Sequence, residues 1–251
     1  MRLRWSSACS FAVAAIAGCA AVPPAPPAPS STVAAFSSQR PGAALPPGWK
    51  PWIVAPNKSP TRYELVLDAT TRAVVLQASA SASASGVMQP LDVDPQSWPL
   101  VQWDWRLVQP IVDADLTDRY RDDSPLRLLL FFDGDRAALP QRERMLMETA
   151  ALLTGQEVPF ATLVYAWDPR APVGSVVPNA VTRQLKTVVV ANGTPAPTDW
   201  KRFERDYVDD YRRAFGAPPG RLVGIGVLTD SDNTRASAAA MYGDIRLLPA
   251  P

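Results

Sequence analysis

The chain contains no histidine, so any chemistry it performs must run on carboxylates, guanidinium groups, hydroxyls or a bound hard metal. Ser-His-Asp and Cys-His catalytic pairs, imidazole metal ligands and a histidine pH switch are all excluded. The densest set of oxygen ligands follows an apolar run, in Val227-Leu228-Thr229-Asp230-Ser231-Asp232-Asn233-Thr234. Asp230, Asp232 and Asn233 stand there at a strand end, with Asp244 on the next strand. Asp230, Asp232 and Asp244 are therefore candidate ligands for Ca²⁺, which takes about six to eight oxygens. The segment lacks the glycine and the distal glutamate of an EF-hand loop. Its other reading is an Asx-rich turn whose side chains bond the backbone.

Three more groups could bind a ligand. In Trp103-Asp104-Trp105-Arg106, period-two alternation puts both indoles on one sheet face and Asp104 with Arg106 on the other. That second face offers an ion pair or a ligand clamp, and for Arg106 a buried structural pair is the simpler expectation. Asp122-Asp123 precede Arg127, which enters the apolar run to Phe132. Adjacent carboxylates on an extended chain point opposite ways, so these two make no catalytic pair, although one of them can meet Arg127 or Arg106. Tyr165 and Trp167 share a strand face and read as a sugar-stacking surface or as core. The candidate ligand set is thus Arg106, Asp122, Asp123, Arg127, Tyr165, Trp167, Asp230, Asp232 and Asn233. Asp230-x-Asp232-x-Thr234 also looks like the nucleophile motif of haloacid-dehalogenase-type phosphatases. Fewer than 20 residues follow it, however, and they hold no lysine, which removes that reading.

The elements that must position these groups are short apolar runs punctuated by Pro, Gly and Asp. Strands are expected at Arg62–Asp68, Ala73–Ser85, Leu100–Gln109, Leu126–Phe132, Thr162–Trp167, Leu185–Ala191, Leu222–Thr229 and Tyr242–Leu248. No glycine-rich phosphate loop and no strand–helix alternation accompany them. The pattern predicts a mainly β fold, an antiparallel β-sandwich or jelly roll with one or two packed helices. Helices are expected at Gln141–Leu153 and Asp199–Phe215. The second carries an aromatic stripe (Trp200, Phe203, Tyr207, Tyr211, Phe215), with Thr198 as its cap and Gly216 as its stop. In the run from Ala78 to Gly86, alanines and serines alternate, so a strand there has small residues on both faces.

Composition sets the cellular frame. The 251 residues carry 25 Lys and Arg against 24 Asp and Glu, a balance that makes no electrostatic case for a nucleic-acid partner. Arg2 and Arg4 followed by the apolar stretch Ala8–Ala17 read as an export leader too short to span a bilayer. Ile16-Ala17-Gly18-Cys19 resembles a bacterial lipoprotein signal, which implies lipidation at Cys19, and Ala20 after it implies an outer membrane, facing the periplasm. Cys9 leaves with the leader, so the exported domain has no thiol for a disulfide. The expected division is residues 1–18 signal peptide, 19–47 Pro/Ala/Ser-rich tether and 48–251 a single β-sandwich domain. About 25 tether residues in polyproline II geometry at ~3.1 Å each would reach roughly 75 Å.

Six landmarks in order resemble a secreted bacterial family, domain-of-unknown-function family 3047. They are Trp103-Asp104-Trp105-Arg106, Asp122-Asp123 with Arg127, Tyr165-Ala166-Trp167, Asp206-Tyr207 to Phe215-Gly216, Thr229 to Thr234, and Tyr242-Gly243-Asp244-Ile245. The resemblance covers about Leu45 to Leu248 and implies one β-rich exported domain; it brings no activity and no catalytic residue. The functional expectation is a membrane-anchored envelope lipoprotein that binds a carbohydrate or other envelope ligand. Its alternatives are a glycan-active enzyme using Asp230, Asp232 and Asp122 or Asp123, with Ca²⁺, and a structural envelope lipoprotein. Two-carboxylate glycoside hydrolysis depends on separations that only coordinates supply.

Overall fold

The computed structural model describes residues 32–193 and 198–250. Cys19 and the expected leader lie outside them. Two β-sheets face one another. The larger has seven strands in the order β1 (Lys50–Ile53), β4 (Ala84–Val93), β11 (Leu222–Asp230), β6 (Arg127–Phe132), β7 (Ala161–Asp168), β9 (Leu185–Asn192) and β8 (Val176–Pro178). The smaller runs β10 (Trp200–Asp206), β5 (Leu100–Gln109), β12 (Ser237–Leu248), β3 (Val74–Ser81) and β2 (Arg62–Leu67). Two helices, α1 (Gln141–Thr154) and α2 (Tyr207–Phe215), complete the set. The fold is the mainly β sandwich expected, with one parallel pair, β7 beside β9, among its antiparallel ladders.

Alternation explains the core. Trp103, Trp105 and Tyr242 of the small sheet interleave with Leu128, Leu130, Tyr165 and Trp167 of the large one in a single buried cluster. The Trp103 indole lies between two rings, Tyr165 at 5.1 Å and Phe203 at 5.0 Å, both nearly parallel to it. Each such side chain contributes about 1.5–3 kcal/mol by burial alone, and stacked rings add somewhat more. Small residues line the β3–β12 pair of the small sheet: Ala78, Ala80, Ala238 and Ala240 are all buried.

Several local expectations change. The Ala73–Ser85 strand breaks after Ser81, where Ala82 takes φ +46° and the chain crosses from the small sheet to the large one. The helix expected from Asp199 begins only at Tyr207. Its first half is instead β10, antiparallel to β5 from Trp200↔Arg106 to Asp206↔Leu100. Without that ladder β5 would be a bare edge, and satisfying its backbone groups outweighs a helical period in the side chains. The cap is accordingly Asp206, which accepts from the Asp209 amide at 2.9 Å, not Thr198. Tyr207, Tyr211 and Phe215 still pack on the core.

Part of the stretch expected as tether packs on the sandwich. Phe36 is buried against Trp49, ring centroids 4.8 Å apart. Gln89 holds the backbone on both sides of Val33, accepting from the Ala34 amide and donating to the Thr32 carbonyl, each at 2.8 Å. Residues from Thr32 onward are therefore part of the packed fold, well before residue 48. In α1 the expected apolar face points outward: only Glu143 and Met147 are buried, while Met145, Leu152 and Leu153 are exposed. Among the described residues no helix is long and apolar enough to cross a membrane.

Candidate functional site

The far-apart acids and the arginine do converge. Arg127 opens β6, and its Nε donates to Asp230 Oδ1 at 3.1 Å while Nη2 donates to Asp122 Oδ1 at 2.8 Å. Asp230 closes β11 and also accepts from the Ser124 amide at 2.8 Å. Asp123, fully buried, accepts from the amides of Asn233 (3.1 Å) and Thr234 (2.7 Å) and from the Thr234 hydroxyl (2.6 Å). The Lys58 ammonium pairs with Asp232, and the Asn233 amide group donates to the Arg119 carbonyl at 3.0 Å. These bonds sew the loop before β6 to the loop after β11. Asp122 and Asp123 do point apart, one to Arg127 and the other to the backbone after Asp232.

The electrostatics are those of a closed knot. Burial raises the Asp230 carboxyl, Arg127 opposes, and the neighbouring Asp123 and Asp122 charges add to the rise, which ends at about 6. Burial also works against the Arg127 charge, but Asp230 and Asp122 outweigh it and hold the guanidinium above its ordinary range. One oxygen each from Asp123, Asp230 and Asp232 lie within 4.8 Å of one another, the spacing of a possible metal site. Asp232 Oδ1 is buried with no hydrogen-bond partner among the described residues. Asp244 is not part of this set. It lies on the outer side of β12 and accepts from the Ser37 amide and hydroxyl.

Other candidates belong elsewhere. Arg106 pairs with Asp68 at 2.8 Å on the outer side of the small sheet, with its guanidinium 5.3 Å from the Trp200 ring centre. Asp104 is held separately by both arms of Arg202. Tyr165 and Trp167 are buried between the sheets, so neither forms a sugar-stacking surface. The Tyr165 hydroxyl donates to Asp210 at 2.8 Å, a carboxylate that Arg205 and Arg213 also bind. Trp167 Nε1 donates to the Gly193 carbonyl at 3.0 Å.

An open cleft of about 500 Å³ lies across the outer face of the large sheet, and none of the expected site residues lines it. Its apolar surface is Trp52 of β1, Met88 of β4, Phe131 of β6 and Phe160, with Trp52 and Phe131 ring centres 5.2 Å apart. Lys50, Asp133, Arg136 and Glu157 supply a charged rim. Gly224 makes the floor possible: a Cβ there would meet the Phe131 ring at 3.1 Å and the Met88 methyl at 3.2 Å. Just past α1, Gln156 clamps the end of edge strand β1, accepting from the Ile53 amide (3.3 Å) and donating to its carbonyl (3.0 Å). The sequence signal for this cleft was Gly224-x-Gly226 inside an apolar strand, which marks a close approach from the neighbouring strands.

Comparison with known proteins adds a family. No curated protein matches the sequence. The carbohydrate recognition domain of Emp47p is similar over 88% of this chain and 96% of its own, at 11% identity and TM-score 0.44. A cleaved adhesin domain (K1) of Lys-gingipain from Porphyromonas gingivalis W83 is similar over 88% of this chain and 100% of its own, at 7% identity and TM-score 0.37. An arabinose-bound α-L-arabinofuranosidase shares 12% identity over 87% of this chain at TM-score 0.40, and the match spans only 26% of that enzyme. Residues 47–246 match the model of the family described as Protein of unknown function (DUF3047), and the chain belongs to that family.

Proposed function

We propose that the chain is an exported, lipid-anchored cell-envelope protein whose sandwich binds a carbohydrate in the Trp52 cleft. The observation that carries the ligand reading is the cleft itself: an aromatic and thioether floor inside a charged rim, in the volume range of small-molecule sites. A sugar ring presents a C–H face to such a floor and hydroxyls to such a rim. The leader, Cys19 and the Pro-rich segment motivate the envelope location. Tryptophan fluorescence titrations against envelope mono- and oligosaccharides test the reading. Trp52→Ala should weaken the best ligand by at least about tenfold with the melting temperature within about 2 °C of wild type. Equal Kd for wild type and variant, or no saccharide bound by either, would end it.

One observation favours a second, structural role for calcium in the knot. Among the described residues Asp122, Asp123, Asp230 and Asp232 pair with Arg127 and Lys58 alone, so the ionised cluster is two charges short of balance there, and Asp232 Oδ1 has no donor among them. Asp123, Asp230 and Asp232 would hold the ion. At neutral pH, millimolar calcium should raise the melting temperature by about 4 °C and EDTA should reverse it, assuming the weak affinity of extracellular sites. Asp232→Asn should abolish the shift. A melting curve indifferent to calcium and EDTA removes the metal.

A further inference from the structure

Helix α1 is inverted relative to an ordinary surface helix. Its inward side carries Glu143, whose carboxylate accepts from the Thr182 hydroxyl at 2.6 Å and the Arg183 amide at 3.3 Å. Its outward side carries Met145, Leu152 and Leu153, which are 57%, 86% and 62% exposed. Residues at these steps share one side of a helix. Exposed Val181 lies near the N-terminal end of the helix, where the Arg142 guanidinium donates to its carbonyl at 3.1 Å. Leaving so much apolar surface in water is costly, and patches of this kind mark contact sites.

We infer that this outer face of α1 docks on the surface of an anionic phospholipid bilayer. Charge complementarity favours lipid. Arg142, which also pairs with buried Glu143 at 3.1 Å, and exposed Arg183, whose amide donates to Glu143, lie at the N-terminal end of the face; the Arg183 guanidinium makes no ion pair among the described residues, and Glu148 is the one exposed carboxylate of the helix. Leucine and methionine can enter the acyl boundary while arginine side chains reach the headgroup level.

The path of the chain agrees. The N-terminal segment meets β4 through Gln89, and Gln156, just past α1, is clamped to β1 beside it. Both therefore reach the same edge of the large sheet. The 13 residue steps from Cys19 to Thr32 span at most about 45 Å, so a lipid at Cys19 would keep α1 within reach of the bilayer. That last point rests on the lipid-anchor reading; the apolar and basic pattern of the face does not.

The test uses the unlipidated chain from Ala20 onward, which keeps every described residue, floated with phosphatidylethanolamine–phosphatidylglycerol vesicles and with phosphatidylcholine vesicles. Binding is expected to the first and not the second, to weaken with salt, and to fall at least about tenfold in Met145→Glu/Leu152→Glu. Because both side chains are exposed, that variant should keep the wild-type melting curve. Arg142→Ala/Arg183→Ala should lower binding without touching the apolar residues. No vesicle binding, or equal binding by the Met145→Glu/Leu152→Glu chain, overturns the inference. So does a dimer in light scattering that this variant dissolves, since a second copy would then own the face. The anchor is tested apart, by whether Cys19→Ser releases the full chain from membranes in cells, so the two ideas fail independently.

Discussion

Replacing Arg127 with methionine should destabilise the fold by about 3–5 kcal/mol, the cost of leaving a buried charge unpaired. The guanidinium bonds Asp230, the Asp122 carboxylate and the Asp122 carbonyl from a position that is itself nearly inaccessible. Methionine fills much of the volume, so the loss reports electrostatics more than packing. Asp230→Asn in the same chain removes the stranded carboxylate and should recover at least half of the loss, which a urea-midpoint comparison would read. Arg121→Met is the control: it breaks pairs with Asp115 and Asp118 in a side chain that is 41% exposed, and should shift the urea midpoint far less, because solvent screens exposed pairs. Equal losses at Arg127 and Arg121, or no recovery in the double variant, would show that the knot does not hold the loops.

In EDTA, the protein should gain stability as pH falls from about 7 to about 4, against the usual trend of acid destabilisation. The sign follows from Asp230. Its carboxyl sits at about 6 in the folded chain and near 3.9 when unfolded. The folded state therefore holds a proton that the unfolded state has released. The resulting stabilisation is complete below about pH 4 and lost as pH rises through about 6, with a span on the order of 2–3 kcal/mol. Asp210 and Asp68 act in the opposite sense. Burial alone would raise both, but Arg205, Tyr165 and Arg213 around Asp210, and Thr71, Arg106 and Trp200 around Asp68, hold them below the usual carboxylate range. Their contribution is present above about pH 4 and disappears as pH falls through their lowered values. Maximum stability should thus lie near pH 4 to 5, in about that window. Asp230→Asn should flatten the profile between about pH 4 and 7 while leaving the acid limb in place. A wild-type midpoint that drops from neutral to mildly acidic pH, or an unchanged slope in Asp230→Asn, would refute the assignment.

The knot and the cleft are separate parts of the molecule, which makes their variants diagnostic. The knot joins loops at the ends of β6 and β11, with Tyr242 of the small sheet hydrogen-bonded beside it to Thr229 at 2.9 Å. Changes there should alter unfolding. The cleft lies on the outer face of the large sheet, so changes there should alter binding.

Much of this was legible from local pattern. Strict alternation in Trp103-Asp104-Trp105-Arg106 placed both indoles in the core and both charges outside, and β5 spans the Leu100–Gln109 range expected of it. The absence of histidine bounded the chemistry, and landmark order pointed to the family. Asp122, Asp123, Arg127, Asp230, Asp232 and Asn233 stood out in the sequence as candidate ligand-binding residues, and the fold brings them together at the ends of β6 and β11. What a period cannot encode is which surface covers a given face. Arg106 found Asp68 rather than Asp104 because β10 and β12 on either side of β5 and the turn after β2, not the same-face neighbour on its own strand, set its surroundings. Trp200 to Asp206 became a strand because β5 needed an edge partner. Tyr165 and Trp167, chemically suited to sugar stacking, were taken by the opposite sheet, and α1 was left with its leucines outward. Alternation decides which residues share a side; only long-range pairing of sheets and loops decides whether that side is core, knot or open cleft.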